Sequence, residues 1–251
     1  MSASIAIPNS DLDFDNGSFD SAAFTSKALA GWQSLAAIID HSLLKQDATR
    51  KHVESLCAEA ARYRFACVFV NPVWTATAVS LLAGTGVPVG ATIGFPLGAS
   101  LVSTMRYEAE ALIRLGAREL GMVLPIGQMK SGNHDAVHHT IHSVAAVAHH
   151  HGAALKVNLE TCLLTMQEKL RASEIAIQAG ADFINTATGF ASGGATSADV
   201  ALMRGVVGAR CGVKAAGRIR TAAQVRTLLD AGANRIGSSA SVAILRELGA
   251  E

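Results

Sequence analysis

Eight strand-like and eight helix-like segments alternate along this chain with no linker between them, which predicts a single closed (β/α)8 TIM barrel. Three observations carry the prediction. The chain has 251 residues, half of them hydrophobic, enough for one large core. Unbroken βα alternation requires parallel strands, because each crossover returns the chain to the same end of the sheet. The polar residues collect at the C-terminal ends of the strands, where a barrel of this kind carries its site. An open doubly wound sheet is the competing arrangement.

Residues 1 to about 30 differ from the rest, being polar and acidic with Asp11, Asp13, Asp15 and Asp20. They read as a flexible extension, or an arm on the barrel or on a second subunit, with the barrel spanning 31–251. Leu35 to Leu44 is an apolar run that Asp40 and His41 close. Helical spacing over 48–63 is followed by a buried strand at 65–70, a helix at 73–82, a strand at 87–93 and a helix at 101–115. The second half continues with strands at 119–124 and 154–159, flanking a helix at 134–150, and a helix at 165–178 that stops at Gly180. A short alternating run through Phe183, Asn185 and Ala187 leads into a glycine-rich loop and a helix at 197–207. Strands near Val213 and at 234–237, with helices at 221–229 and 239–248, complete the series.

Composition narrows the function. Lys and Arg number 21 and Asp and Glu 20, a formal net charge of +1, so nothing points to a nucleic-acid or anionic-membrane partner. No apolar run approaches the ~20 residues that span a bilayer, and the N-terminus lacks a basic start followed by an apolar block. Cys57, Cys67, Cys162 and Cys211 are scattered, which indicates neither a zinc site nor a disulfide framework and reads as the reduced thiols of a cytosolic protein. His134, His138 and His142 share one helix face at metal-ligand spacing, but that face is the solvated one. The apolar stripe of the last helix reads as core, with a homodimer contact as the alternative.

The strand ends supply a candidate site. Asp40 lies on the first strand, Lys156 and Glu160 on one face of the fifth, Asn185 on the sixth and Lys214 on the seventh. Buried charges must pair, so Asp40, Glu160, Lys156 and Lys214 are expected to be linked. Lys214, between two glycine-rich turns, is the candidate perturbed amine. Three loops suggest a cradle for a phosphate: Gly189 with Ser192, Gly193 and Gly194; Ala216 and Gly217 followed by Arg218; and Ser238 and Ser239 at the start of the last helix. Backbone amides and hydroxyls there would hold a dianion without a basic cluster.

Six collinear stretches then resemble deoxyribose-phosphate aldolase: DHSLLK from Asp40, IGFPLG from Ile93, ETCLL from Glu160, TGF from Thr188 with SGGAT from Ser192, GVKA from Gly212 and RIG from Arg235. The resemblance runs from about residue 35 to 248. It implies a metal-free, cofactor-free class I aldolase that cleaves 2-deoxyribose 5-phosphate through a lysine Schiff base, with phosphate contacts at Gly189, Ala216, Gly217 and Ser239. It also implies two departures. Asn185 occupies the position of the Schiff-base lysine, and Gly121 that of the proton-relaying aspartate. An amide nitrogen does not attack a carbonyl. The second lysine of the family falls on Lys214 and its first-strand aspartate on Asp40.

Three readings follow. Lys214 itself forms the imine, its pKa lowered by burial and by Lys156. Alternatively no imine forms, Asn185 hydrogen-bonds a carbonyl oxygen, and Lys214 or Asp40 moves a proton in a lyase, dehydratase, isomerase or cyclase. In the third, the barrel binds a sugar phosphate without turnover.

Overall fold

A computed structural model describes residues 18–251. Eight parallel strands close on one another in sequence order, β1 pairing with both β2 and β8. The strands are β1 (Ile39–Leu43), β2 (Cys67–Val70), β3 (Val89–Ile93), β4 (Glu119–Val123), β5 (Ala154–Asn158), β6 (Phe183–Asn185), β7 (Gly212–Ala216) and β8 (Arg235–Ser238). This is the predicted (β/α)8 barrel.

The helices among the described residues number eleven rather than eight. Those following each strand are α3 (Arg50–Tyr63), α4 (Thr75–Leu81), α5 (Val102–Arg114), α7 (His134–His150), α8 (Met166–Gln178), α9 (Ser197–Val207), α10 (Ala222–Asp230) and α11 (Ser241–Arg246). Three short ones are additional: α1 (Ser21–Ala28), α2 (Trp32–Ala36) and α6 (Ile126–Lys130). One or two turns are too short for hydrophobic periodicity to register.

Helix starts follow their sequence signals. Thr165 accepts from the Glu168 amide while the Glu168 carboxylate accepts from the Thr165 amide, and Thr221 with Gln224 repeats the arrangement. The core lies in two layers. Outward strand residues such as Ile39, Val68, Ala91, Leu120, Leu155, Ile184, Val213 and Ile236 are fully buried beneath the helices. The inward positions mix charged and polar side chains with glycines and the rings of Phe69 and Phe183, and they form the site.

Three expectations are corrected. Residues 21–28 of the anticipated tail form a helix: Asp20 caps it by accepting from the Ala23 amide at 3.0 Å, and Phe24, Ala28 and Leu29 join the core. Asp11, Asp13 and Asp15 lie outside the described residues. Asp40 is the second residue of β1 rather than its last, because Leu35 and Ala36 belong to α2 and the strand begins at Ile39. Glu160 does not share a face with Lys156, since β5 ends at Asn158 and the chain turns through a left-handed Glu160 at φ 53°.

On α7 the rings of His138 and His142 stack with centroids 5.8 Å apart, but among the described residues its histidines form no group of three ligand atoms within 4.8 Å. Among the described residues, no helix is long and apolar enough to cross a membrane.

Candidate active site

Inside the barrel, Asp40 sits at the centre of a charge network. Its Oδ2 accepts from Lys156 Nζ at 2.7 Å and lies 2.6 Å from Lys214 Nζ, and its Oδ1 accepts from Arg235 Nε at 2.7 Å. Arg235 Nη2 also donates to Glu119 Oε1 at 2.8 Å, and Lys156 Nζ lies 2.5 Å from Glu119 Oε2. The expected linkage of Asp40, Lys156 and Lys214 is therefore present, with Glu119 and Arg235 as unforeseen members. Strand alternation carried the signal for both: Glu119 is two residues before Gly121 on β4, and Arg235 two before Gly237 on β8.

The expected fourth member, Glu160, works elsewhere. Its Oε2 accepts from the Thr188 amide at 3.1 Å and from the Thr188 hydroxyl, pinning the β6–α9 loop.

Three cations against two carboxylates leave one surplus positive charge in a buried setting. Removing charges from water is costly, so the least supported proton is the easiest to lose. Burial lowers the Lys214 pKa below its ordinary 10.5, and the neighbouring Lys156 charge adds to that, while Asp40 opposes it. Asp40 moves the other way. Burial would raise its pKa, but Arg235, Lys156 and Lys214 outweigh burial and hold it well below the carboxylate range. Burial likewise opposes the charge on Arg235, and Asp40 and Glu119 overcome it, keeping the guanidinium ionised.

Asp40, Cys67 and Glu119 place ligand-type atoms within 4.8 Å of one another. Both carboxylates already face Lys156, Lys214 or Arg235, whose charge opposes a further cation.

Above the network a cavity of about 660 Å³ opens at the C-terminal ends of the strands. Lys156, Asn185 and Lys214 line it, and Asp40 supports the two amines from beneath. Asn185 is 4% exposed, faces inward, and is the direct register partner of Lys214 on the adjacent strand. Its Nδ2 donates to Asn158 Oδ1, and Asn158 Nδ2 donates to the Met122 carbonyl at 3.0 Å.

Gly121 also lines the cavity, and the Phe69 ring from β2 fills the room beside it. A Cβ at 121 would lie 3.0 Å from Phe69 Cε1, and one at Gly90 only 2.5 Å from Phe69 Cε2. The ring also flanks Lys214, with Nζ 4.3 Å from its centroid. Gly237 makes the matching space for the amine, since a Cβ there would come within 2.7 Å of Lys214 Cε. Phe69 and Asn158 are further site residues that sequence reading missed. Phe69 sits in an all-apolar strand, and Asn158 is one amide among many.

The mouth accounts for most of the expected phosphate residues. Gly189, Ala216, Gly217, Ser238 and Ser239 line it. Ala216 and Ser238 are internally engaged: the Ala216 amide donates to Thr186 Oγ1 at 3.0 Å, and the Ser238 hydroxyl donates to the Ile219 carbonyl at 2.8 Å. Ser192 and Gly193 lie off the cavity, Ser192 exposed on its loop and Gly193 packed so closely that a Cβ would meet Cys162 Cβ at 2.3 Å. Basic side chains are present after all. Lys45, Arg218 and Arg220 ring the opening, with Asp47 as the acidic residue among them. Lys45 comes from the loop after β1 and Arg218 and Arg220 from the loop after β7, so no run of basic sequence announces all three.

A (β/α)8 barrel with a lysine pair on its floor and cations around its mouth defines a class of barrels built to take a small anionic carbonyl compound. The chain belongs to the DeoC/LacD aldolase family, whose pattern matches residues 34–248. It is 50% identical over 213 residues to a deoxyribose-phosphate aldolase of Geobacillus, covering 84% of this chain and 95% of that one. A deoxyribose-phosphate aldolase of Lysinibacillus sphaericus is 48% identical over 217 residues, covering 86% and 96%. Among solved structures, the tetrameric deoxyribose phosphate aldolase of Aeropyrum pernix superposes with a TM-score of 0.84 at 31% identity, covering 91% of this chain and 96% of that one.

Two outcomes test this geometry. Asp40→Asn keeps the shape but leaves three buried cations facing Glu119 alone, with no carboxylate at Lys214, and is expected to reduce unfolding free energy by about 3–5 kcal/mol in denaturant melts. An unchanged midpoint contradicts the network. Gly121→Asp is expected to cost about 1–3 kcal/mol by overpacking against Phe69. Combined with Phe69→Ala it should be non-additive by about 0.5–3 kcal/mol, because the alanine opens the room the aspartate needs. Strictly additive losses contradict the contact.

Proposed function

We propose that this protein is an aldehyde-lyase of the deoxyribose-phosphate aldolase type, cleaving a carbon–carbon bond in a phosphorylated 2-deoxy sugar with Lys214 as its nucleophile. The observation that carries the reading is a buried lysine, its pKa lowered by burial, on the floor of a cavity with a cationic mouth. Family membership and the named activity of relatives about half identical to this chain support the same reaction class.

The chemistry follows from the charges. With its proton released, Lys214 Nζ attacks the aldehyde carbon to give a carbinolamine, which takes up a proton and loses water to form an iminium ion. A proton leaves the 3-hydroxyl, the C2–C3 bond breaks, and its electron pair moves onto C2 to form an enamine. The aldehyde carrying the phosphate departs. Protonation at C2 and hydrolysis of the iminium then release acetaldehyde and restore the amine.

The cations around Asp40 hold its carboxyl well below the carboxylate range, and it anchors both lysines. Lys156 supplies the neighbouring charge that lowers the Lys214 pKa. With glycine at 121, water in the cavity serves as the proton carrier. Lys45, Arg218 and Arg220, with the turns at Gly189, Gly217 and Ser239, hold the phosphate at the mouth.

One observation favours a second reading. Asn185 stands beside Lys214 where the family resemblance places the Schiff-base lysine, and its amide cannot form an imine. On that reading the barrel binds the sugar phosphate, and either leaves it unchanged or acts without an imine.

Borohydride reduction in the presence of 2-deoxyribose 5-phosphate, followed by peptide mass analysis, separates the two. The expected adduct is on the peptide carrying Lys214, is absent in Lys214→Met, and forms faster as pH rises toward 10.5, because only the neutral amine attacks and its fraction grows with pH. Binding of the sugar phosphate without any lysine adduct supports the second reading instead.

A further inference from the structure

Two residues lining the cavity each carry a buried polar atom with no hydrogen-bond partner among the described residues: Asn185 Oδ1 and Thr92 Oγ1, on residues 4% and 3% exposed. A buried acceptor left unsatisfied costs about 1–3 kcal/mol, so its presence in a cavity wall points to a ligand group that completes it. The orientation of Asn185 follows from its neighbours. Asn158 turns its Nδ2 to the Met122 carbonyl, which leaves its Oδ1 facing Asn185. Asn185 must answer with Nδ2, and its own Oδ1 is the atom left over. An amide oxygen only accepts, so the missing partner is a donor.

We infer that Asn185 is a specificity-determining residue whose Oδ1 accepts a hydrogen bond from a hydroxyl of the substrate close to the carbonyl carbon, with Asn158 fixing the amide. The inference rests on the reading of this cavity as a sugar-phosphate site, though not on imine formation. Position selects the hydroxyl. Asn185 is the register partner of Lys214, so it lies at the carbonyl end of the cavity, away from the cationic mouth. In a 2-deoxy sugar the hydroxyl nearest the aldehyde is on carbon 3. Thr92, from β3, offers a second hydroxyl-binding group in the same cavity.

The test uses ligands that cannot form an imine. Calorimetric titration of the full-length protein with 2-deoxyribitol 5-phosphate and with 2,3-dideoxyribitol 5-phosphate isolates the 3-hydroxyl. Its loss is expected to weaken binding roughly tenfold, one hydrogen bond to a buried acceptor. In Asn185→Leu the two ligands should bind alike. If leucine prevents folding, as judged by circular dichroism, Asn185→Ala carries the same expectation. Equal affinities in the unmodified protein, or discrimination that survives in the variant, overturn the inference and leave the sugar-phosphate reading standing. Failure of both alcohols to bind overturns the two together.

Discussion

The carboxylate of Asp40 is the point on which the interior turns. It meets three cations contributed by β5, β7 and β8, at distances of 2.6–2.7 Å, while its own exposure is zero. Interiors of such barrels are ordinarily filled by layers of branched aliphatic side chains. Here the filling is ionic, and the apolar core lies in the outer layer between strands and helices. A buried ion network is poor stabilisation compared with well-packed hydrocarbon, yet breaking it from one side is expensive. Its value is therefore positional. It fixes two lysine ammonium groups against one oxygen and holds them at the cavity floor.

The surplus charge links that packing to chemistry. Two carboxylates cannot balance three cations, and the guanidinium of Arg235 is held ionised by both acids. The deficit falls on Lys214, whose pKa burial lowers together with the neighbouring Lys156 charge. Around this amine the side chains are fitted to one another. Gly237 lets it pass, Phe69 flanks it, and Gly90 and Gly121 accommodate the phenyl ring. The site is thus a mutually adjusted set. Any side chain added at 121 meets the ring of Phe69.

Much of this was legible in the sequence, for identifiable reasons. Alternating βα segments with no linker gave the barrel, and parity along short strands placed Asp40, Lys156, Asn185 and Lys214 toward one interior. Parity failed at Glu160, because the strand ended two residues earlier and a left-handed turn redirected the side chain. Arg235 and Glu119 obeyed the same alternation but sat at strand starts, away from the ends where a site is sought. Lys45 from the loop after β1 meets Arg218 and Arg220 from the loop after β7 at the mouth, an assembly that only tertiary structure creates. The internal commitments of Ala216 and Ser238 are equally invisible to a motif, which records residue types and not their hydrogen bonds.

The account stands on the claim that the network leaves Lys214 the proton it holds least firmly. Nitrogen-15 labelling of the lysine side chains, with the Lys214 resonance assigned by its loss in a Lys214→Met sample, follows that proton through a pH titration. The prediction is a Lys214 Nζ titration below the ordinary 10.5. A midpoint at or above that value contradicts the account, because it makes Lys214 a permanently charged partner of Asp40 and leaves the cavity without a nucleophile.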